Sequence, residues 1–101
     1  MMYVCDEMKK LRNFLDEKDI TWRDNSENMK STIEMWICRT LFEVGTHSFS
    51  VVNGFGTYGG WAGANLSEKN LGLLEMMIDE CEPFGWLTAE DIITLLNNYN
   101  Y

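Results

Sequence analysis

Five glycines fall within the ten residues from Gly54 to Gly63, inside the stretch "VVNGFGTYGGWAGAN". Glycine weakens a helix or strand interior by about 0.5–1 kcal/mol relative to alanine, and its natural use is the tight turn or the close backbone approach. This stretch must therefore be a loop. Gly54-x-Gly56-x-x-Gly59 also spells the dinucleotide fingerprint, after a segment that reads as a strand. That fingerprint needs a helix opening inside it, a parallel βαβ unit and an acid about 20 residues on. Trp61-Ala62-Gly63-Ala64-Asn65 is a poor helix opening, and no Gly-Lys-Ser/Thr follows. Lys69, beside Glu68, is the only lysine downstream, so the strand lysine of a kinase-type loop is missing too. Three weaker readings stay open. The glycines can let the chain cross the sheet end while Phe55, Tyr58 and Trp61 close the core. The loop can contact a protein, or its amides at Gly54, Gly56 and Gly59 can form an anion nest with the three aromatics as stacking faces.

The strand before the loop belongs to a hairpin. Thr32 to Glu43 and Thr46 to Asn53 are predicted to turn at Val44-Gly45, pairing Phe42 with His47, Thr40 with Phe49 and Cys38 with Val51. Trp36, Cys38, Phe42, Phe49 and Val51 then share one face, and Arg39, Glu43, Ser48 and Ser50 the other. A one-residue slip would mix the two sets.

Helices flank the hairpin. From Asp6 to Asp19, with Asp6 as N-cap, Met8, Leu11 and Leu15 form an inner stripe with Phe14 beside them. Lys9, Lys10, Arg12, Asn13 and Glu17 fall on the other faces. Ile20-Thr21-Trp22 is a candidate short strand and "RDNSEN" a loop. Ser67 can cap a second helix running to about Asp79, with Leu71, Leu74 and Ile78 inside and Glu68, Gly72, Glu75 and Asp79 outside. In "EPFGWLTAEDI" Thr88 and Asp91 stand as a capping box, with Leu87 and Ile92 as a hydrophobic staple, and a third helix runs to about Asn98 before a fraying "NNYNY". The expected architecture is α+β: one domain over residues 1–101, a small antiparallel sheet with about three helices on one face.

Charge narrows the function classes. The net charge is −8. Residues 1–30 carry six basic and seven acidic side chains and residues 31–69 two and three, whereas residues 70–101 carry six acids and no base. Those six are Glu75, Asp79, Glu80, Glu82, Glu90 and Asp91. Such a field repels nucleic acid and anionic membranes and attracts basic partners. Cys5, Cys38 and Cys81 are an odd, widely spaced set that suits buried reduced thiols better than disulfides, and with His47 the only histidine no zinc site is expected. No apolar run approaches the roughly 20 residues of a membrane span. A cytoplasmic protein without cofactor or metal is expected.

No reaction is announced. His47 and Ser48 are neighbours on a strand and so point apart. Glu75 with Asp79, or Glu80 with Glu82, could pair as carboxylates, but a glycosidase needs a long cleft that 101 residues seldom build. Three segments, "ICRTLFEVGTHSFSVVNGFGTYGGW", "NLGLLEMMI" and "EPFGWLTAEDI", carry a resemblance over about residues 8–96. The chain resembles a group of small proteins encoded in bacteriophages and prophages of Gram-positive bacteria, ordered as short helix, hairpin, "G-x-GTYGG" turn, "GLLE" helix and "G-[WY]-LTAE" helix. The resemblance brings no biochemical role and carries over no functional residue. It implies a small acidic accessory protein of a mobile element, a kind that includes inhibitors of host defence such as anti-CRISPR proteins, several of them acidic mimics of nucleic acid.

The leading expectation is thus a non-enzymatic inhibitor, working in the host cytoplasm, that blocks a basic nucleic-acid-binding surface of a host protein, a defence nuclease being one candidate. The other two classes are a nucleotide-sequestering protein using the loop aromatics and an accessory protein that works as an oligomer.

Overall fold

A computed structural model describes residues 4–29, 35–54, 56–60 and 71–99. Along the chain come α1 (Asp6–Glu17), β1 (Trp22–Asp24), β2 (Glu27–Met29), β3 (Met35–Val44), β4 (His47–Gly54), β5 (Leu74–Ile78), β6 (Phe84–Leu87) and α2 (Ala89–Leu96), which tightens into a 3-10 turn over Asn97–Tyr99. The strands form one antiparallel sheet in the order β1-β3-β4-β5-β6, and β2 pairs with the same edge of β3 as β1 does.

The α+β arrangement has two helices among the described residues, not about three. The segment read as a second helix up to Asp79 holds β5 instead, paired with β4 from Phe49↔Ile78 to Val52↔Glu75. Leu74, Met76 and Ile78 alternate as well as they recur at helical spacing, so the pattern fits both periods. The unpaired edge of β4 decides the matter by offering a ladder. The proposed Ser67 cap lies outside the described residues.

In the β3–β4 hairpin Phe42 pairs with Phe49, Thr40 with Val51 and Cys38 with Asn53, two residues away from the predicted register. The turn is Gly45-Thr46, flanked by Val44↔His47. Gly45 has φ of +62° and Thr46 does not share the positive sign, as a II′ turn requires. Turning at Val44-Gly45 would have put a β-branched residue at the positive-φ position. Because the shift is even, the faces survive: Cys38, Phe42, Phe49 and Val51 are buried, while Arg39, Glu43, Ser48 and Ser50 lie opposite. The stretch "RDNSEN" is not simply a loop, since Arg23 and Asp24 belong to β1 and Glu27 and Asn28 to β2.

Both helices cover the Cys38–Phe42 face. Met8, Leu11 and Leu15 of α1 and Ile92 and Leu96 of α2 are fully buried in one cluster with Phe42, Phe49, Val51 and Leu74, where each large aliphatic side chain contributes about 1.5–3 kcal/mol. The Phe42 and Phe49 rings stack at 5.0 Å. Arg12 was expected outside but turns inward: its side chain is only 12% exposed. Its Nε donates to Thr40 Oγ1 at 2.8 Å, its guanidinium lies 4.6 Å from the Trp22 ring centre, and Asp24 is 3.6 Å away. It stands four residues after Met8, on the inner stripe, which is the signal that its charge obscured.

The ends of the elements also depart from expectation in places. The N-cap of α1 is Cys5, with no side-chain hydrogen bond, rather than Asp6. The capping box of α2 forms as expected, Asp91 N–H donating to Thr88 Oγ1 and Thr88 N–H to Asp91 Oδ2. The first amide of α2, on Ala89, donates at 2.8 Å to Glu7 Oε1 of α1. Tyr99 does not fray but packs edge-on against His47 and Phe49. Cys5 and Cys38 are buried free thiols whose pKa burial pushes up, whereas Cys81 is exposed, against the expectation of three buried ones.

Candidate functional site

The loop after β4 is built by its own hydrogen bonds. Thr57 Oγ1 accepts from Gly54 N–H at 3.0 Å and donates to Gly54 O at 2.9 Å. Thr57 N–H donates to Gly54 O and Gly60 N–H to Thr57 O. Tyr58 N–H donates to Glu75 Oε1 at 3.0 Å, so a carboxylate of the chain already sits where an anion would be bound. The amides of Gly54, Thr57, Tyr58 and Gly60 are therefore committed. Gly59 has φ of +101°, and a Cβ there would lie 2.8 Å from Leu73 Cβ. This is a loop that lets two chain segments touch, not a vacant cradle. Phe55 and Trp61 lie outside the described residues, so the three-aromatic cluster is reduced to Tyr58.

Tyr58 has a partner that the sequence reading did not single out. Its ring lies 5.2 Å from that of Trp86, and Trp86 N–H donates to Tyr58 O. Both side chains are about half exposed. Trp86 sits at a bulge: Leu74 pairs with Leu87 but Met76 with Phe84, so β6 has one residue more than β5 between the two pairs. Its φ of +56° is a genuine outlier for a bulky residue. Strain of this kind persists where surrounding structure imposes it and tends to gather at functional sites. The only sequence signal was a tryptophan beside a glycine in "FGWL".

The six acids of the C-terminal segment do not form one helical face. Glu75 lies on β5, on the side of the sheet away from the helices. Asp79, Glu80 and Glu82 lie in or just after the β5–β6 turn. Glu90 and Asp91 open α2, which starts beyond Leu87 and so at the Leu74 end of β5, roughly 15 Å away along a five-residue strand. Asp79 is engaged: its Oδ2 is 2.6 Å from His47 Nδ1 and its Oδ1 accepts from Ser48 N–H, and these two contacts hold its carboxyl below the usual range. Asp91 is engaged in the capping box. Glu80, Glu82 and Glu90 are exposed and make no hydrogen bond or ion pair among the described residues. His47, also packed against Tyr99, ties β4 to the turn after β5, and Ser48 lies on the opposite face from it, exposed.

The second face of the sheet carries Ile37, Arg39 and Leu41 from β3, Ser50 and Val52 from β4, and Glu75 and Met77 from β5, with Arg23 of β1 beside Leu41. No described helix packs over it. Arg39 Nη1 pairs with Glu27 Oε1 at 2.7 Å and reaches the carbonyl of Asn25.

The class this fold defines is an α+β protein whose described helices, α1 and α2, both pack on one face of the sheet. No family model, curated protein or solved structure matches the chain. No described helix is long and apolar enough to cross a membrane. Among the described residues no group of three or more His, Cys, Asp or Glu is arranged to hold a metal ion.

Proposed function

We propose that the protein is a non-enzymatic binding module that docks onto a basic surface of another protein through the Tyr58–Trp86 corner, steered there by its acids. The observation that carries this reading is the exposed aromatic pair held by a strained backbone at the sheet margin. Exposed aromatics that are already rigid make strong interface anchors, because little rotamer freedom is lost on binding. The charge of −8, with Glu80, Glu82 and Glu90 unpaired among the described residues, favours a basic partner. A surface that normally receives nucleic acid is such a partner, and the resemblance to proteins of mobile elements fits an inhibitor of host defence in the bacterial cytoplasm. The nucleotide reading is weaker, since four loop amides are satisfied within the chain and one of them by a carboxylate.

The test is capture of partners from bacterial lysate, followed by kinetics on whatever binds. Trp86→Ala should raise the off-rate at least about tenfold, as loss of an anchor does. Neutralising Glu80, Glu82 and Glu90 to glutamine should slow association and flatten its salt dependence with little change in off-rate. A partner retained equally by both variants would refute this proposal.

A further inference from the structure

We propose that the second face of the sheet holds a site for a short zwitterionic peptide, a di- or tripeptide with both ends free. The 56–60 loop lies across one row of that face, Arg39–Val52–Glu75, where Val52 is buried and Tyr58 N–H meets Glu75. The next row, Arg23–Leu41–Ser50–Met77, runs from β1 to β5 beside the loop and floors a hollow of about 370 Å³. That volume falls within the range of small-ligand sites. The charges around it are sorted by end. Arg23 and Arg39 line it on the β1 side, and Glu80 lines it beyond Met77, in the turn after β5. Glu43 stands on its long edge, two residues along β3 from Leu41. Leu41, Ser50 and Met77, all half-buried, make the middle apolar apart from one hydroxyl.

This arrangement selects the ligand. A simple carboxylate would meet the arginines but be opposed by the net charge of −8, and a simple amine would leave the arginines unused. A zwitterion has no net charge to be opposed and uses both ends. Length narrows the class further. Three strand spacings of about 4.8 Å, roughly 14 Å, separate the Cα atoms of Arg23 and Met77. A free amino acid carries both charges on one carbon and cannot reach the two ends together. A di- or tripeptide, at about 3.3–3.6 Å per residue, spans the floor once the long arginine and glutamate side chains reach inward. Its carboxylate is assigned to Arg23 and Arg39, its ammonium to Glu80 with Glu43 alongside, and an apolar side chain to Leu41 and Met77. The groups are available for it. The side chains of Arg23, Glu43 and Glu80 are exposed and make no hydrogen bond or ion pair among the described residues. Arg39 spends only Nη1, on Glu27 and Asn25, which holds its guanidinium ready for a carboxylate. The inference does not rest on the docking proposed above, since neither Tyr58 nor Trp86 lines the hollow.

The test is titration of the purified protein, by calorimetry and by NMR shifts, with alanyl-leucyl-alanine and with its N-acetylated and C-amidated forms. No partner protein is needed, so failure here and failure of the docking are told apart. The free-ended peptide should bind at millimolar concentrations or below, and each capped form at least about tenfold more weakly, as loss of a charge-assisted contact requires. Arg23→Gln should weaken the free-ended peptide by a similar factor yet leave the residual binding of the amidated form unchanged, because that form has already lost the carboxylate. Glu80→Gln should behave in the same way toward the acetylated form. Circular dichroism should show both variants folded, as expected of exposed side chains. A free-ended peptide that does not bind at millimolar concentrations overturns the inference. So do capped forms that bind as tightly as the free-ended one, or binding that both variants leave unchanged.

Discussion

At Gly59 the backbone leaves the region open to other residues, and Leu73 leaves no room for a side chain. Gly56 is also at positive φ, +75°, but nothing lies within 4 Å of where its Cβ would stand. The two glycines separate the cost of conformation from the cost of contact. Gly56→Ala should lower stability by about 1–2 kcal/mol, the left-handed penalty alone. Gly59→Ala adds the clash with Leu73 and should lose about 1–3 kcal/mol more. Urea melts of the two variants make the comparison, and equal midpoints would mean that the loop does not hold Leu73 as described. That glycine was needed here could be read from the sequence. That Thr57, Glu75 and Leu73 would occupy the amides and the space could not, because two of those partners come from a segment whose place beside the loop depends on β5.

The same dependence governs the elements. The α2 capping box, the α1 apolar stripe and the two faces of the hairpin were legible, since each follows from spacing within one segment. The hairpin register failed by an even step, which is why its faces survived. β5 was illegible because Leu74-Glu75-Met76-Met77-Ile78 has good helix formers at positions that also alternate, and pairing with β4 overrode their propensity. Once β5 is a strand, the helical face expected to unite Glu75, Asp79, Glu90 and Asp91 disappears, and the Asp79–His47 contact takes its place. Between elements, Glu7 is the least expected link, a residue of α1 that completes the start of α2. Its carboxyl is held below the usual range chiefly by the Ala89 amide. Glu7→Gln keeps an acceptor but removes the charge facing the helix N-terminus, and should lower stability by about 0.5–1 kcal/mol. A calorimetric or urea midpoint unchanged from wild type would mean that the two helices are joined by their apolar faces alone.

For the molecule as a whole, two opposing effects set the response to acid. Net charge of −8 repels itself, and partial protonation below neutrality relieves it. Against this, Glu7 bonded to Ala89, Asp24 bonded to Ser26 and Asp79 bonded to His47 all have depressed carboxyl pKa values. A carboxylate whose folded pKa lies below its unfolded value stabilises fully above the unfolded value, about 4, and ceases to do so as pH falls through the folded one. Stability should therefore rise modestly from pH 7 to about 5 and fall steeply below about 4. Thermal melts across that range check both limbs, and a stability that keeps climbing below pH 4 would contradict the three bonded carboxylates.

The hydrogen bond from Ala89 to Glu7 joins residues 82 positions apart. During synthesis α1 emerges first but waits for almost the whole chain before its partner helix leaves the ribosome. Until then Met8, Leu11 and Leu15 lack the α2 side of their cluster, so the N-terminal part of the newborn chain cannot reach its final packing alone. A stalled or truncated product ending before Ala89 would present that apolar stripe incompletely covered, which makes it a substrate for chaperones and proteases rather than a smaller working protein.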